Sequence, residues 1–89
     1  MKIFLDTSSL IKLYHYEEGT DTLDKIFVDN VITEIFVSEI AKTEFFSAIY
    51  KKLRTKELFL QRSNDILNAF TFDEPRYTFI LIDRDIINT

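Results

Sequence analysis

The fold is decided first by residues 2–14, KIFLDTSSLIKLY, in which a short apolar run meets an acidic residue and then a helical pattern. Residues 2–5 favour a β-strand, and their continuous apolar character predicts a strand buried on both faces, as in parallel sheets. Thr7 or Ser8 follows at once and can cap a helix that continues to Tyr14. The segment therefore predicts a β-α unit with Asp6 at its junction.

The same alternation of strand and helix patterns continues along the rest of the chain. Thr20 can cap a short second helix, and the apolar run 35–37 ends at Ser38, which can cap a long helix to residue 54. A further helix is predicted from Thr55, with apolar residues as far as Phe70, and Asp73-Glu74-Pro75 marks its end because Pro75 cannot continue it. Residues 79–82 then predict a third buried strand, and residues 85–89 predict the first turn of one more helix.

Strands that alternate with helices indicate an α/β fold with a parallel sheet and right-handed crossovers. A chain of 89 residues with 46% hydrophobic residues can build one core, so residues 1–89 are interpreted as one domain. The absence of cysteine excludes disulfides and thiolate metal sites, and with no signal peptide it favours a cytoplasmic protein. No segment predicts a membrane span.

A net charge of −4 argues against tight non-specific binding of nucleic acid, which normally needs a basic surface. It leaves open a nuclease that presents phosphate to metal ions held by carboxylates. Three cations at the end of the long helix, Lys51, Lys52 and Arg54, can contact RNA phosphates or can simply form a solvated helix end. The only histidine, His15, is interpreted as a capping or surface residue at the end of the first helix.

Polar residues directly follow the three predicted strands, where open parallel sheets bind their ligands. These residues are Asp6, Ser38 and Asp83. An aspartate at a strand end can simply cap the next helix. That role is weakened for Asp6, because Thr7 and Ser8 already offer capping hydroxyls, and it is favoured for Asp83.

Glu44 is the other unusual acidic residue, because helical spacing places it at the border of the apolar face formed by its neighbours. An inward carboxylate needs a pairing charge, a hydrogen bond or a metal. The alternatives are a side chain that reaches the rim, or an ion pair with Lys42 or Lys51. Asp6 and Glu44 together would suit Mg²⁺ or Mn²⁺, which prefer oxygen ligands and can activate water for phosphodiester hydrolysis.

Two of these segments resemble the motifs of PIN-domain proteins. Residues 3–14 resemble the family's opening, in which a hydrophobic strand runs into Asp-Thr-Ser and an apolar helix, and residues 38–45 resemble its second motif, Ser-x-x-x-x-x-Glu. The resemblance covers nearly the whole chain and is nearest to the VapC-like toxins of type II toxin–antitoxin pairs. It implies a three-layer α/β fold, incomplete here at the C-terminus, RNA cleavage with Mg²⁺ or Mn²⁺, a homodimer, and inhibition by a small antitoxin.

Carried over by position, the resemblance gives Asp6 and Glu44 the roles of the first and second metal-binding carboxylates. Thr7 and Ser8 match the hydroxyls that hold the first acid or a metal-bound water. The family's third Asp and its usual fourth acidic residue lie further on than this chain extends, so Asp83 and Asp85 are the substitutes that remain.

Two other functions compete with the ribonuclease. One is a non-catalytic PIN-like remnant that binds an antitoxin or another partner. The other is an unrelated phosphate-handling α/β domain. The second is disfavoured because Gly19 is the sole glycine and no glycine-rich phosphate loop exists.

Overall fold

The structure of the protein is a computed structural model, which describes residues 1–81. These residues form a mixed α/β structure with a parallel sheet, as the alternating pattern predicts. In chain order the elements are β1 (Lys2–Leu5), α1 (Thr7–Tyr14), α2 (Thr20–Asp29), β2 (Glu34–Ser38), α3 (Glu39–Arg54), α4 (Leu60–Asp73), a 3₁₀ turn (Glu74–Arg76) and β3 (Tyr77–Ile80).

The sheet has the strand order β1-β2-β3, with both neighbouring pairs parallel. Leu5 is opposite Val37, and Val37 is opposite Phe79, so the three strands end close together. The carboxyl ends of β1 and β2 lead directly into α1 and α3. Side chains at the first turns of these two helices therefore lie along one edge of the sheet.

The core lies between one face of the sheet and the four helices. Alternate strand residues face it: Leu5 and Val37 are fully buried, and Ile3, Ile35, Tyr77 and Phe79 pack against it. The helices contribute to this core the buried side chains of Leu10, Ala41, Phe45, Ile49, Ile66 and Phe70. Phe27 of α2 packs against the same core, so α2 covers the same face as the other helices.

The opposite face of the sheet is not covered by any element within residues 1–81. Phe4 is 53% exposed, and the face also carries the Lys2–Glu34 ion pair at 3.8 Å and a hydrogen bond from Thr78 to Glu34. The prediction of strands buried on both faces is therefore wrong for β1, and residues 1–81 form two layers, while the three-layer arrangement stays a prediction. The physical reason is that every described helix packs on the face that holds Leu5.

The fourth helix begins later than predicted, at Leu60 where residue 55 was expected. Thr55 instead ends α3, because both its backbone N–H and its hydroxyl donate to the carbonyl of Lys51, at 2.9 and 3.1 Å. Lys56 follows with φ of 64°, in the left-handed region that terminates helices. These local hydrogen bonds break the helical pattern that the sequence otherwise continues.

The third strand lies two residues earlier than predicted, at Tyr77–Ile80. Its register pairs Ile35 with Tyr77 and Ser38 with Ile80, so the end of β2 also limits the end of β3. Asp83 therefore does not directly follow this strand. Asp83, Asp85 and the helix start predicted for residues 85–89 all lie outside the described residues. None of the helices within residues 1–81 is long and apolar enough to cross a membrane.

Candidate metal-binding site

Asp6 joins β1 to α1 and is itself the cap of that helix. Its Oδ1 accepts a hydrogen bond of 2.8 Å from the backbone N–H of Ser9, and its carbonyl accepts one of 2.9 Å from Leu10. The prediction that Thr7 or Ser8 would cap this helix is wrong, since both residues already lie inside it. An aspartate side chain can accept a hydrogen bond from the N–H of the third helical residue, just as a serine or threonine hydroxyl can. Its negative charge also interacts favourably with the helix N-terminus.

The same contacts keep Asp6 ionised. The hydrogen bonds from the backbone and side chain of Ser9 lower the pKa of the Asp6 carboxyl, and the Lys12 ammonium contributes in the same direction. Burial of the carboxyl opposes the Ser9 hydrogen bonds but does not outweigh them, so its pKa is lowered overall. Asp6 is therefore an accessible carboxylate that is charged at neutral pH, which a metal ligand must be.

Glu44 lies in the second turn of α3 and reaches α1. Its Oε1 accepts a hydrogen bond of 3.0 Å from the hydroxyl of Thr7, the residue that follows Asp6. The Ser38 hydroxyl accepts from the N–H of Ala41 at 2.9 Å, which fixes the start of α3 as predicted. The first turn of α1 and the second turn of α3 are thus tied together at the carboxyl edge of the sheet.

The environment of Glu44 agrees with one of the alternatives left open by the sequence, a side chain that reaches the rim. The residue is exposed and does not face inward, so it avoids the desolvation cost of a buried carboxylate. Neither of the two lysines considered as its partner pairs with it within residues 1–81: Lys42 pairs with Glu74, and Lys51 has no ion pair there. Its partner is the Thr7 hydroxyl, and among residues 1–81 no cation lies within ion-pair distance of Glu44.

The two hydroxyls that follow Asp6 have different partners. Thr7 supports Glu44, the second carboxylate, where the family resemblance implied support for the first or for a water. Ser8 is exposed, and its Oγ accepts a hydrogen bond of 3.2 Å from Lys12 Nζ. Support for Asp6 comes instead from the N–H of Ser9, a backbone group that residue types alone do not reveal.

The carboxylate oxygens of Asp6 and Glu44 are of the type that hard divalent cations prefer. Each carboxylate has about four lone-pair positions, and one hydrogen bond from a backbone N–H or a hydroxyl leaves others for a metal. Within residues 1–81 no cluster of three or more acidic or histidine side chains is placed to hold a metal. Mg²⁺ commonly binds through one or two carboxylates, with waters and substrate phosphates as its other ligands, so the pair is compatible with that ion.

A cavity of about 480 Å³ adjoins this edge, between α1 and α3. Thr7 and Ser8 line it from α1, and Lys51 and Lys52 line it from α3. The sequence left two alternatives open for these lysines, contact with RNA phosphates or a solvated helix end. The structure adds that both of them border the cavity that begins at Thr7.

A second polar cluster was not predicted. The Tyr14 hydroxyl donates to Asp73 Oδ2 at 2.8 Å and also shares a hydrogen bond with the Tyr77 hydroxyl. Burial raises the pKa of both tyrosines, with a further rise from Asp73, so both stay protonated. They line a cavity of about 280 Å³ beside Arg76. The cluster joins residues 59 and 63 positions apart, which no local spacing reveals.

Comparison of the chain with protein-family models and with curated proteins gives no match in either case. What the structure defines is therefore a class, an α/β protein with a parallel sheet and a pair of accessible carboxylates near its carboxyl edge. The functional argument rests on this geometry and on the motifs that carry the two carboxylates.

Proposed function

We propose that this protein is a metal-dependent endoribonuclease of the PIN family that acts as the toxin of a toxin–antitoxin pair and hydrolyses RNA phosphodiesters. The observation that carries the proposal is the 3.0 Å hydrogen bond from Thr7 to Glu44. It brings together the two separate segments that resemble the family's motifs. The parallel sheet and its order of elements are compatible with the same family.

In this proposal Asp6 and Glu44 hold Mg²⁺ or Mn²⁺ at the carboxyl edge of the sheet. When bound, such an ion activates water and stabilises charge on the phosphodiester oxygens. The backbone N–H of Ser9 orients Asp6 and keeps it anionic, and the hydroxyl of Thr7 orients Glu44. Fixed carboxylates lose little freedom when they bind a cation, which favours binding.

The partners in this proposal are an RNA substrate, a small antitoxin protein and a second copy of the chain, in a cytoplasmic setting. These parts rest on the resemblance of residues 3–14 and 38–45 to VapC-like toxins. The sheet face that carries Phe4, which no element within residues 1–81 covers, offers apolar surface, which protein–protein contacts often use.

Cleavage of a structured RNA by the purified chain tests the catalytic proposal. We expect cleavage that requires Mn²⁺ and is abolished by Asp6→Asn and by Glu44→Gln, because each change removes a charged ligand but keeps the shape of the side chain. Asp24→Asn is the matched control, since Asp24 is exposed on α2, away from the site, and should cleave like the wild type. Folded protein that leaves RNA intact with Mn²⁺ would contradict the proposal.

One observation favours a second candidate function, that of a non-catalytic PIN-like module that binds an antitoxin or another partner. Within residues 1–81 the site has two carboxylates and no third metal-binding side chain beside them. Such a module would fold and bind its partner equally well with Asp6→Asn or Glu44→Gln. The cleavage assay and a binding assay on the same variants therefore separate the two candidates.

A further inference from the structure

The cavity between α1 and α3, called the groove from here on, is lined by different kinds of side chain along its length. The hydroxyls of Thr7 and Ser8 line the end where α1 begins, and apolar groups of Ile11 and Ala48 line its middle. Lys51 and Lys52 project from the last turn of α3. With a volume of about 480 Å³ the cavity lies within the range of small-molecule sites, so it can hold a group the size of a nucleotide.

The two lysines of the groove differ in their charge balance. Lys52 Nζ lies 3.2 Å from Glu57 Oε2, and the lysine side chain is only 21% exposed, so its charge is largely compensated. Lys51 is exposed and has no carboxylate within ion-pair distance among residues 1–81. Within the described part of the chain, Lys51 is therefore the lysine of this groove that is available for an anionic ligand.

Two carboxylates limit how much anionic ligand the groove can accept. Glu17 and Glu57 also line it, and both lie in the segments that follow the C-terminal ends of α1 and α3. A phosphate beside Glu17 would meet like charge, and Glu57 already occupies Lys52. The charges thus favour one phosphate close to Lys51 and disfavour a long run of backbone.

We propose that this groove binds one nucleotide of a single-stranded RNA next to the Asp6–Glu44 pair, with Lys51 contacting its phosphate. The inference rests on the proposed ribonuclease function and names a substrate-binding residue for the same site. Continuity supports it, because Thr7 both lines the groove and donates to Glu44. Ile11 and Ala48 supply an apolar surface for the sugar or base, while the phosphate remains near the lysine.

Binding of a fluorescein-labelled 10-nucleotide single-stranded RNA, measured by anisotropy in EDTA at several salt concentrations, tests the inference without any cleavage. Loss of one phosphate contact lowers the slope of log K against log salt by about 0.7 for single strands. We expect that decrease for Lys51→Ala and a near-normal slope for Lys51→Arg. Lys25→Ala is the control, because Lys25 is an exposed lysine of α2 that does not line the groove.

A second variant is expected to change RNA affinity in the opposite direction. Glu57→Gln removes the carboxylate that pairs with Lys52 and should raise RNA affinity, with a slope steeper by about 0.7. A role of Lys51 in helix stability alone would not give opposite effects in these two variants. Equal slopes for Lys51→Ala and wild type, or no RNA binding by the wild type at 50 mM salt, would overturn the inference. Mn²⁺-dependent cleavage in the separate assay would in that case leave the proposed function standing.

Discussion

Thr7 Oγ1 lies 3.0 Å from Glu44 Oε1, so one hydrogen bond joins the first turn of α1 to the second turn of α3 across 37 positions of sequence. This bond places Glu44 beside the residue that follows Asp6. It also selects one orientation for an exposed glutamate, which would otherwise sample several rotamers. The central claim, that Asp6 and Glu44 act as one metal site, depends on this relationship.

Removal of the Thr7 hydroxyl should weaken metal binding without unfolding the protein. Thr7→Val keeps the shape of the side chain but leaves Glu44 without its donor, and loss of such a supporting bond typically costs 10- to 100-fold in metal affinity. We therefore expect the Mn²⁺ concentration for half-maximal cleavage to rise by at least about tenfold. Thr7→Ser keeps the hydroxyl and should resemble the wild type. Equal Mn²⁺ dependence of the valine variant would argue against the role given to this bond.

Two substitutions at Asp6 should separate its structural role from its role in metal binding. Asp6→Ala removes the helix cap and should lower the free energy of unfolding by about 1 kcal/mol, whereas Asp6→Asn keeps a good cap and should cost less. Both variants should lose metal binding, because neither carries a charge. Urea denaturation and Mn²⁺ titration of the same samples check the two expectations. An alanine variant as stable as the asparagine variant would refute the capping role.

The charge of Asp6 should also make stability depend on pH in a defined direction. The Ser9 hydrogen bonds lower its folded-state pKa below the unfolded value of about 3.9. Its stabilising effect is therefore complete above about pH 4 and is lost as the pH falls through the lower, folded-state value. The stability difference between wild type and Asp6→Asn should shrink when denaturation is repeated at pH 3. A difference that is constant between pH 7 and pH 3 would contradict this linkage.

The cluster around Tyr14 should matter for stability. Tyr14→Phe removes the donor to Asp73 and the partner of Tyr77 in a half-buried site, so the free energy of unfolding should fall by about 1 to 3 kcal/mol. The matched control is Tyr16→Phe, which breaks a similar 2.8 Å bond to Asp21 in a fully exposed position and should change stability little. Thermal or urea denaturation checks both. Similar losses in the two variants would mean that burial is not the cause.

Ser63 offers a stabilising substitution. It is 1% exposed, and its hydroxyl has no hydrogen-bond partner within residues 1–81. Ser63→Ala removes an unpaired polar group from the core and should raise the free energy of unfolding by about 1 kcal/mol more than Ser47→Ala, an exposed helical control. Both substitutions replace serine by alanine in a helix and gain the same helix propensity. The difference between their effects on the free energy of unfolding therefore reports the cost of burying the Ser63 hydroxyl. Equal gains would show that the hydroxyl is satisfied in solution.

Local sequence rules predicted the elements well and their ends less well. The apolar runs predicted the parallel α/β order, and Ser38 was correctly predicted as a cap, because these signals are local in sequence. The other predicted caps were wrong, since α1, α2 and α4 are preceded by Asp6, Gly19 and Phe59. The start of α4 was missed because Thr55 bonds back to α3 while its helical pattern continues. The exact bounds of β2 and β3 depend on how the two strands pair with each other. The sequence of one segment alone does not carry that information.

The sequence proposes the residues of the candidate site, and the structure supplies their contacts. Asp6 and Glu44 were identified from their positions after a strand and on a helix face. The helix-capping role of Asp6 and the rim position of Glu44 were open alternatives, and the structure selects them because the folded chain decides which donor each carboxylate meets. The cluster of Tyr14, Asp73 and Tyr77 forms only through tertiary packing, so no local sequence spacing predicts it.

The most direct test of the central claim is a calorimetric titration of the protein with Mn²⁺, carried out on wild type, Asp6→Asn, Glu44→Gln and the double variant. If the two carboxylates share one ion, each single change should abolish or strongly weaken binding, and the double variant should be little worse than either single one. Mn²⁺ binding that survives both single changes, or losses that simply add in the double variant, would contradict a shared site.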